Sequence, residues 1–219
     1  MDESPRVTVI LPIFNNVDQL RPLVERLTTT LKSMQVVFEI LLIDDGSELR
    51  VWSEISHLCR ANERCKGVRF SRNFGQHAAI RAGLEFGFGD YFVLMDADLE
   101  NRPEDLPKLF DAITDDGHEI VVGRWSNSNQ GRVSSKVFHW VIAQGKYDPT
   151  DLVDVATFRI FTRRVRNQLL RYSERNPVYG PLMHQLGHQI AKVDITRDEE
   201  LAPPSRYSFR SRLRLASPY

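Results

Sequence analysis

A chain of 219 residues, 42% hydrophobic and 26% charged, is long enough for one sizeable core and has an ordinary soluble composition. Its two cysteines, Cys59 and Cys65, make neither a disulfide framework nor a zinc site, which points to a reducing cytoplasm; the N-terminus lacks a leader pattern, and no run approaches the 18 apolar residues of a membrane span. Net charge is zero but uneven, with 17 Lys+Arg against 24 Asp+Glu in residues 1–154 and 12 against 5 in residues 155–219.

Residues 7–14 read as a first buried strand, with Pro12 near its end, where a lost N–H matters less. Asn15 and Asn16 form a turn, and one of them or Asp18 caps a helix to about residue 34, in which Leu20, Leu23, Leu27 and Leu31 recur at helical spacing. Residues 36–43 are a second buried strand that runs into Asp44, Asp45, Gly46 and Ser47. A helix over about 51–62 sets Trp52, Ile55 and Leu58 on one face. A short strand at 67–70, a polar loop at 71–76 and a helix at 77–88 follow.

Residues 91–100 (YFVLMDADLE) carry the most chemistry. Five apolar residues, enough for a strand buried on both faces, run into Asp96 and Asp98, and Glu100 follows two residues later. Two aspartates one residue apart repel and are costly to desolvate unless a cation sits between them. Magnesium takes one or two carboxylates and completes its shell with water and phosphate oxygens. The same tripeptide also occurs in solvated turns, so the metal reading gains its weight from the surrounding chain. Pro103 stands at a helix start, and 119–123 form another strand.

Strands alternating with helices argue for an α/β fold: a mostly parallel central sheet with helices on both faces, binding its ligand at the carboxyl lip. The glycine patterns of a dinucleotide-binding turn and of a P-loop are both absent, which sets aside a dehydrogenase and a P-loop NTPase. Past Gly123 the pattern loosens into a polar loop at 125–131, a helix-like stretch at 134–144, a second loop at 145–151, a strand at 155–161 and a basic helix at 163–171. The main domain is expected to span 1–200. Residues 201–219 read as a basic amphipathic tail, with Arg206, Arg210 and Arg214 on one helical line and Phe209, Leu213 and Ala216 beside it. Such a segment suits an anionic bilayer or an oligomer contact.

Four stretches taken together, 9–15, 42–47, 73–80 and 95–100, resemble in order and spacing the family 2 glycosyltransferases with a Rossmann-like GT-A fold. Within them the chain is most similar to polyprenyl-phosphate glycosyltransferases, of the dolichyl-phosphate mannose synthase and undecaprenyl-phosphate sugar transferase type. The resemblance covers about residues 6–216. It departs at Glu100, where the subfamily usually has Gln, and at residue 219, since many relatives continue into membrane-spanning helices.

The resemblance implies a metal-dependent inverting transfer of a sugar from a nucleoside-diphosphate donor to a polyprenyl phosphate at the cytosolic face of a membrane. It places Pro12, Phe14 and Asn15 around the base. Asp44 and Asp45 accept hydrogen bonds from base or ribose, and Gln76 and Asp96 also belong to the donor site. Asp98, helped by Asp96 and Glu100, holds Mg²⁺ or Mn²⁺ against the diphosphate. Arg124 and Arg132 add positive charge, and Ser135 and Lys136 with Arg132 form an acceptor-phosphate site. Asp154 is a candidate base or acceptor-positioning group. Arg159, set between large apolar residues, needs a partner, and a phosphate is one. The competing readings are a glycan or glycolipid hydroxyl acceptor, and a non-catalytic GT-A module that binds a partner enzyme. Nucleic acid is not expected as a partner. Peripheral membrane contact and a homo-oligomer are.

Overall fold

The computed structural model describes residues 6–125, 155–172, 179–188 and 190–196. The helix-like stretch at 134–144, its flanking loops, the tail at 201–219 and the domain boundary before it lie outside the described residues.

In chain order the elements are β1 (Val7–Ile13), α1 (Val17–Ser33), β2 (Phe38–Asp44), α2 (Leu49–Ala61), β3 (Cys65–Arg69), α3 (Gln76–Phe86) and β4 (Tyr91–Leu94). A 3-10 turn (Pro103–Asp105) leads into α4 (Leu106–Asp115), followed by β5 (Ile120–Trp125) and β6 (Val155–Thr162). The last elements are α5 (Arg163–Arg171), α6 (Tyr179–Gln185) and β7 (Ile190–Ile195). The described strands form one sheet in the order β3-β2-β1-β4-β6-β5-β7. Its pairings are parallel except that β6 runs antiparallel to both neighbours. The expected mostly parallel sheet is therefore present, with one reversed strand inside it.

Period-two alternation divides the core. Along β1, Val7, Val9, Leu11 and Ile13 enter the cluster that includes Leu20, Leu27, Ile55, Leu106 and Phe158. Ile10 faces the other side with Leu41, Ile80, Phe92, Phe161 and Leu169. The first cluster is covered by α1, α2 and α4, and the second by α3, α5 and α6. Both faces of the sheet are thus buried, which is why β1 and β2 read as continuous apolar runs.

Two elements escaped the sequence reading. Helix α6 is only seven residues long and contains Pro181. Strand β7 lies at the sheet edge and exposes Lys192 and Asp194, charges that protect an edge and also hide its apolar pattern. The basic helix is present as α5, where its arginines have structural work. Arg166 donates from Nε to the Leu84 carbonyl at 2.7 Å and from NH2 toward the Glu85 and Gly87 carbonyls. It thereby occupies acceptors that the end of α3 would leave open.

Candidate active site

Strands β1, β2 and β4 are parallel neighbours, so the loops that follow them gather at one carboxyl lip. Short polar side chains tie these loops together. The Asn15 N–H donates to Ser47 Oγ at 3.1 Å, and the Glu48 N–H donates to Asn15 Oδ1 at 3.2 Å. Asn16 Nδ2 reaches the Ala97 carbonyl at 3.4 Å. The Asp45 carboxylate accepts the Phe74 N–H at 2.7 Å and the Gly75 N–H at 2.9 Å, and Gln76 Nε2 donates to Asp96 Oδ1 at 2.8 Å. The four stretches that stand apart in the sequence are one hydrogen-bonded lip.

Two backbone features sharpen it. Gly46 has φ +69°, and a Cβ there would sit 2.3 Å from the Arg72 carbonyl carbon. The turn after β2 therefore requires glycine both for its conformation and for the loop pressed on it. Leu99 is a non-glycine residue at φ 62° and is only 2% exposed. A buried branched residue in the left-handed region holds local strain, and it does so here between Asp98 and Glu100.

Asp96 and Asp98 are half-buried. Burial pushes the Asp98 carboxyl up to about 6; the Asp96 charge adds to this, and the Glu100 N–H, donating to Asp98 Oδ1 at 3.0 Å, opposes it. Burial also raises Asp96, against hydrogen bonds from Thr157 and Gln76 and the charge of Arg159. Both acids therefore bear a cost of burial, and the Arg159 charge offsets part of it at Asp96. Among the described residues no three His, Cys, Asp or Glu side chains form a group that could hold a metal ion unaided. A divalent cation at Asp98 would need further oxygens from water or from a phosphate-bearing ligand, and that shortfall fits magnesium or manganese.

The remaining expected residues fall as follows. Pro12 is half-buried on β1, just past the β1–β4 pairing that ends at Ile10 and Leu94. Phe14 is 48% exposed at the lip. Asp44 is fully buried; it accepts the Ser47 N–H at 2.9 Å and pairs with Arg69 at 3.3 Å. Asp45 is 3% exposed, and burial raises its carboxyl despite the two backbone donors. Both acids thus anchor the lip. Arg124 lies at the same end of the sheet, two strands from β4, and pairs with Asp194 of β7 at 2.7 Å. Arg159 sits on β6; burial lowers its pKa and the Asp96 charge opposes that. Glu100 is half-buried. Arg132, Ser135, Lys136 and Asp154 lie outside the described residues.

Sequence reasoning missed Thr157 and Asn101. The Thr157 hydroxyl hydrogen-bonds Asp96, and the 1% exposed Asn101 donates from Nδ2 to Thr157 Oγ1 at 3.5 Å. The available signal was a polar residue two positions before Arg159, on the same face of a strand.

A family model described as Glycosyl transferase family 2 matches residues 8–181. The undecaprenyl-phosphate 4-deoxy-4-formamido-L-arabinose transferase of Salmonella choleraesuis (strain SC-B67) is 31% identical over 224 residues, covering 95% of this chain. The chain spans 65% of that relative's length. An uncharacterized glycosyltransferase, YkcC, of Bacillus subtilis (strain 168) is 26% identical, covering 99% of this chain and 68% of its own. Among solved structures, glucosyl-3-phosphoglycerate synthase from Mycobacterium tuberculosis, in complex with Mn²⁺ and UDP-glucose, superposes with a TM-score of 0.71 at 17% identity. The match covers 97% of this chain and 75% of that one. A mannosyltransferase from Pyrobaculum calidifontis, in complex with GDP-mannose and Mn²⁺, gives 0.64 at 16% identity over 94% and 59%. At these identities the likeness is one of fold, and the fold is GT-A.

Proposed function

The chain belongs to glycosyl transferase family 2, and from that membership we propose that it moves a sugar from a nucleoside diphosphate to a polyprenyl phosphate at the cytosolic face of a membrane. The observation that carries the reading is the pair of half-buried aspartates at the end of β4, where four loops are wired into one lip and burial raises both carboxyls.

Each residue has a task in this reading. Phe14, exposed at the lip, offers a face for the base, with Pro12 and Asn15 shaping the floor beside it. Asp44 and Asp45 fix the β2 turn from within, and of the two it is Asp45, bound to the loop at 74–75, that would accept from base or ribose. Asp98 is the principal contact to Mg²⁺ or Mn²⁺, with Asp96 and Glu100 adding charge. When bound, that ion neutralises the negative charge that gathers on the departing nucleoside diphosphate. The acceptor phosphate oxygen attacks C1 of the sugar as the bond from C1 to the diphosphate oxygen breaks, inverting the centre. A phosphate acceptor is already ionised at neutral pH, so no base need remove a proton from it. Arg132, Ser135 and Lys136 would hold that phosphate, Arg124 would add charge to the donor side, and Asp154 would position the acceptor. The acceptor class is supported by the Salmonella relative, whose name carries undecaprenyl phosphate. Among the described residues no helix is long and apolar enough to cross a membrane, and the basic 201–219 segment is the proposed surface contact.

A panel of UDP-, GDP- and dTDP-sugars with Mn²⁺, with and without a short polyprenyl phosphate, tests the reading. We expect metal-dependent donor binding and transfer that requires the lipid phosphate. Absence of metal-dependent binding to every donor would sink it, and full turnover by Asp98→Asn would sink the site assignment.

A further inference from the structure

The antiparallel register of β6 on β4 sets up the geometry. Leu94 pairs with Arg159 and Val93 with Ile160. Extended by two residues, the same register puts Asp96 opposite Thr157 and leaves Arg159 as its diagonal neighbour on the same face. The side chains follow that placement. The Thr157 hydroxyl hydrogen-bonds Asp96, Arg159 exerts its charge on it, and Gln76 closes the third side at 2.8 Å.

Each brace is itself held. Thr157 has one proton to give, and it accepts from Asn101 Nδ2 at 3.5 Å, which leaves the proton for Asp96. Asn101 lies just past the acid motif and is 1% exposed, so the loop carrying Asp98 and Glu100 is tied to the same threonine. Arg159 donates from Nε to the Thr157 carbonyl at 3.3 Å, and its NH1 lies 4.0 Å from Met183 Sδ. A Cβ on Gly180 would come within 3.2 Å of that NH1, so α6 confines the guanidinium closely. Asp98 differs: among the described residues its hydrogen bonds come from backbone N–H groups alone. Asp96 is clamped by side chains from α3 and β6, and Asp98 is left to meet a ligand.

We propose that Thr157 and Arg159 are positioning residues that act through Asp96, fixing the acidic loop in the orientation that receives a divalent cation and a diphosphate. This rests on the glycosyl-transfer reading above. It reassigns Arg159 from a phosphate contact to a brace behind the carboxylate, and it gives Thr157 a role. Outer groups that orient metal-binding carboxylates commonly change metal affinity by about 10- to 100-fold when removed.

The test uses the full chain with Thr157→Val, Thr157→Ser, Arg159→Met and Arg159→Lys. Mn²⁺ affinity is read from the electron paramagnetic resonance signal of free Mn²⁺, with UDP, GDP or dTDP present in turn, and melting is read without metal. Thr157→Val should weaken Mn²⁺ binding about tenfold while metal-free melting falls by only a few degrees, since Asn101 loses its acceptor, and Thr157→Ser should restore both. Arg159→Lys should retain part of the affinity that Arg159→Met loses, because a charge remains near Asp96. If wild type binds Mn²⁺ with a nucleoside diphosphate and Thr157→Val binds it equally well, the proposal is overturned and the functional reading stands. A wild type that binds Mn²⁺ with none of the three overturns both. Equal loss in Thr157→Val and Thr157→Ser assigns the effect to packing and also overturns the proposal.

Discussion

In the proposed reading, Asp98 is the residue at which function and stability pull in opposite directions. Its carboxyl is raised from an ordinary 3.8 to about 6, first by burial and then by the Asp96 charge. Below pH 3.8 it is protonated in both folded and unfolded chains and costs nothing. Between 3.8 and about 6 the unfolded chain ionises while the folded one resists, so stability falls, and above about 6 the full penalty applies. Discounted for solvent screening, that penalty is about 1–2 kcal/mol. Asp98→Asn should therefore melt higher than wild type at pH 7.5 without metal, by roughly 2–8 °C, and the two curves should converge near pH 4. Mn²⁺ with a nucleoside diphosphate should raise the wild-type melting temperature and leave that of Asp98→Asn unchanged. Calorimetry across pH 4–8 reads both effects, and a variant no more stable than wild type at pH 7.5 contradicts the argument. Gly46 makes the opposite case. With φ +69° and backbone 2.3 Å from any added Cβ, Gly46→Ala should lose about 2–4 kcal/mol and roughly 5–15 °C, with chemical shifts moving in both the 44–48 and 72–76 loops.

Among the elements, those buried on both faces were the most legible. Strands β1, β2 and β4 are near-continuous apolar runs, and α1 shows its leucines at helical spacing, so their existence and order followed from hydrophobic pattern alone. The acidic lip was legible for the same reason, because an apolar run that ends abruptly in acids marks a strand leaving the core. Pattern could not show that β6 is reversed, since strand direction is a property of connections rather than of side-chain period. Nor could it show that Asp44 and Asp45 are bound into their own loops, or that Arg124 pairs with Asp194, because those partners are 25 to 70 residues away in sequence. The basic helix α5 illustrates the limit: its arginines suggest a surface for anions, yet Arg166 is occupied with α3 carbonyls. Arg166→Ala should cost about 1–3 kcal/mol and speed amide exchange at the carboxyl end of α3, while donor binding at the lip is retained. Exchange that accelerates uniformly across the sheet instead would mean that the arginine supports the whole fold and not one helix end.

For the molecule as a whole, the division of charge is the feature that no single site explains. Residues 1–154 are acidic and hold the described lip, while residues 155–219 carry 12 Lys+Arg against 5 Asp+Glu. A polyprenyl phosphate is confined to a bilayer, so an enzyme that uses one must spend its working time against an anionic surface that repels the acidic part of this chain. A basic segment resolves the conflict, because each Lys or Arg near such a surface contributes about 1 kcal/mol, and apolar side chains set beside the charges add burial at the headgroup boundary. Arg206, Arg210 and Arg214, with Phe209 and Leu213 among them, are the proposed source of both. The full chain should float with vesicles containing phosphatidylglycerol at low salt, and binding should fall steeply as salt is raised through the range where the Debye length drops below about 10 Å. Removal of residues 205–219 should abolish flotation while leaving Mn²⁺-dependent nucleotide binding at the lip intact. Flotation that survives the truncation would move the membrane contact to another surface, and flotation on neutral vesicles would show that apolar burial rather than charge holds the chain to lipid.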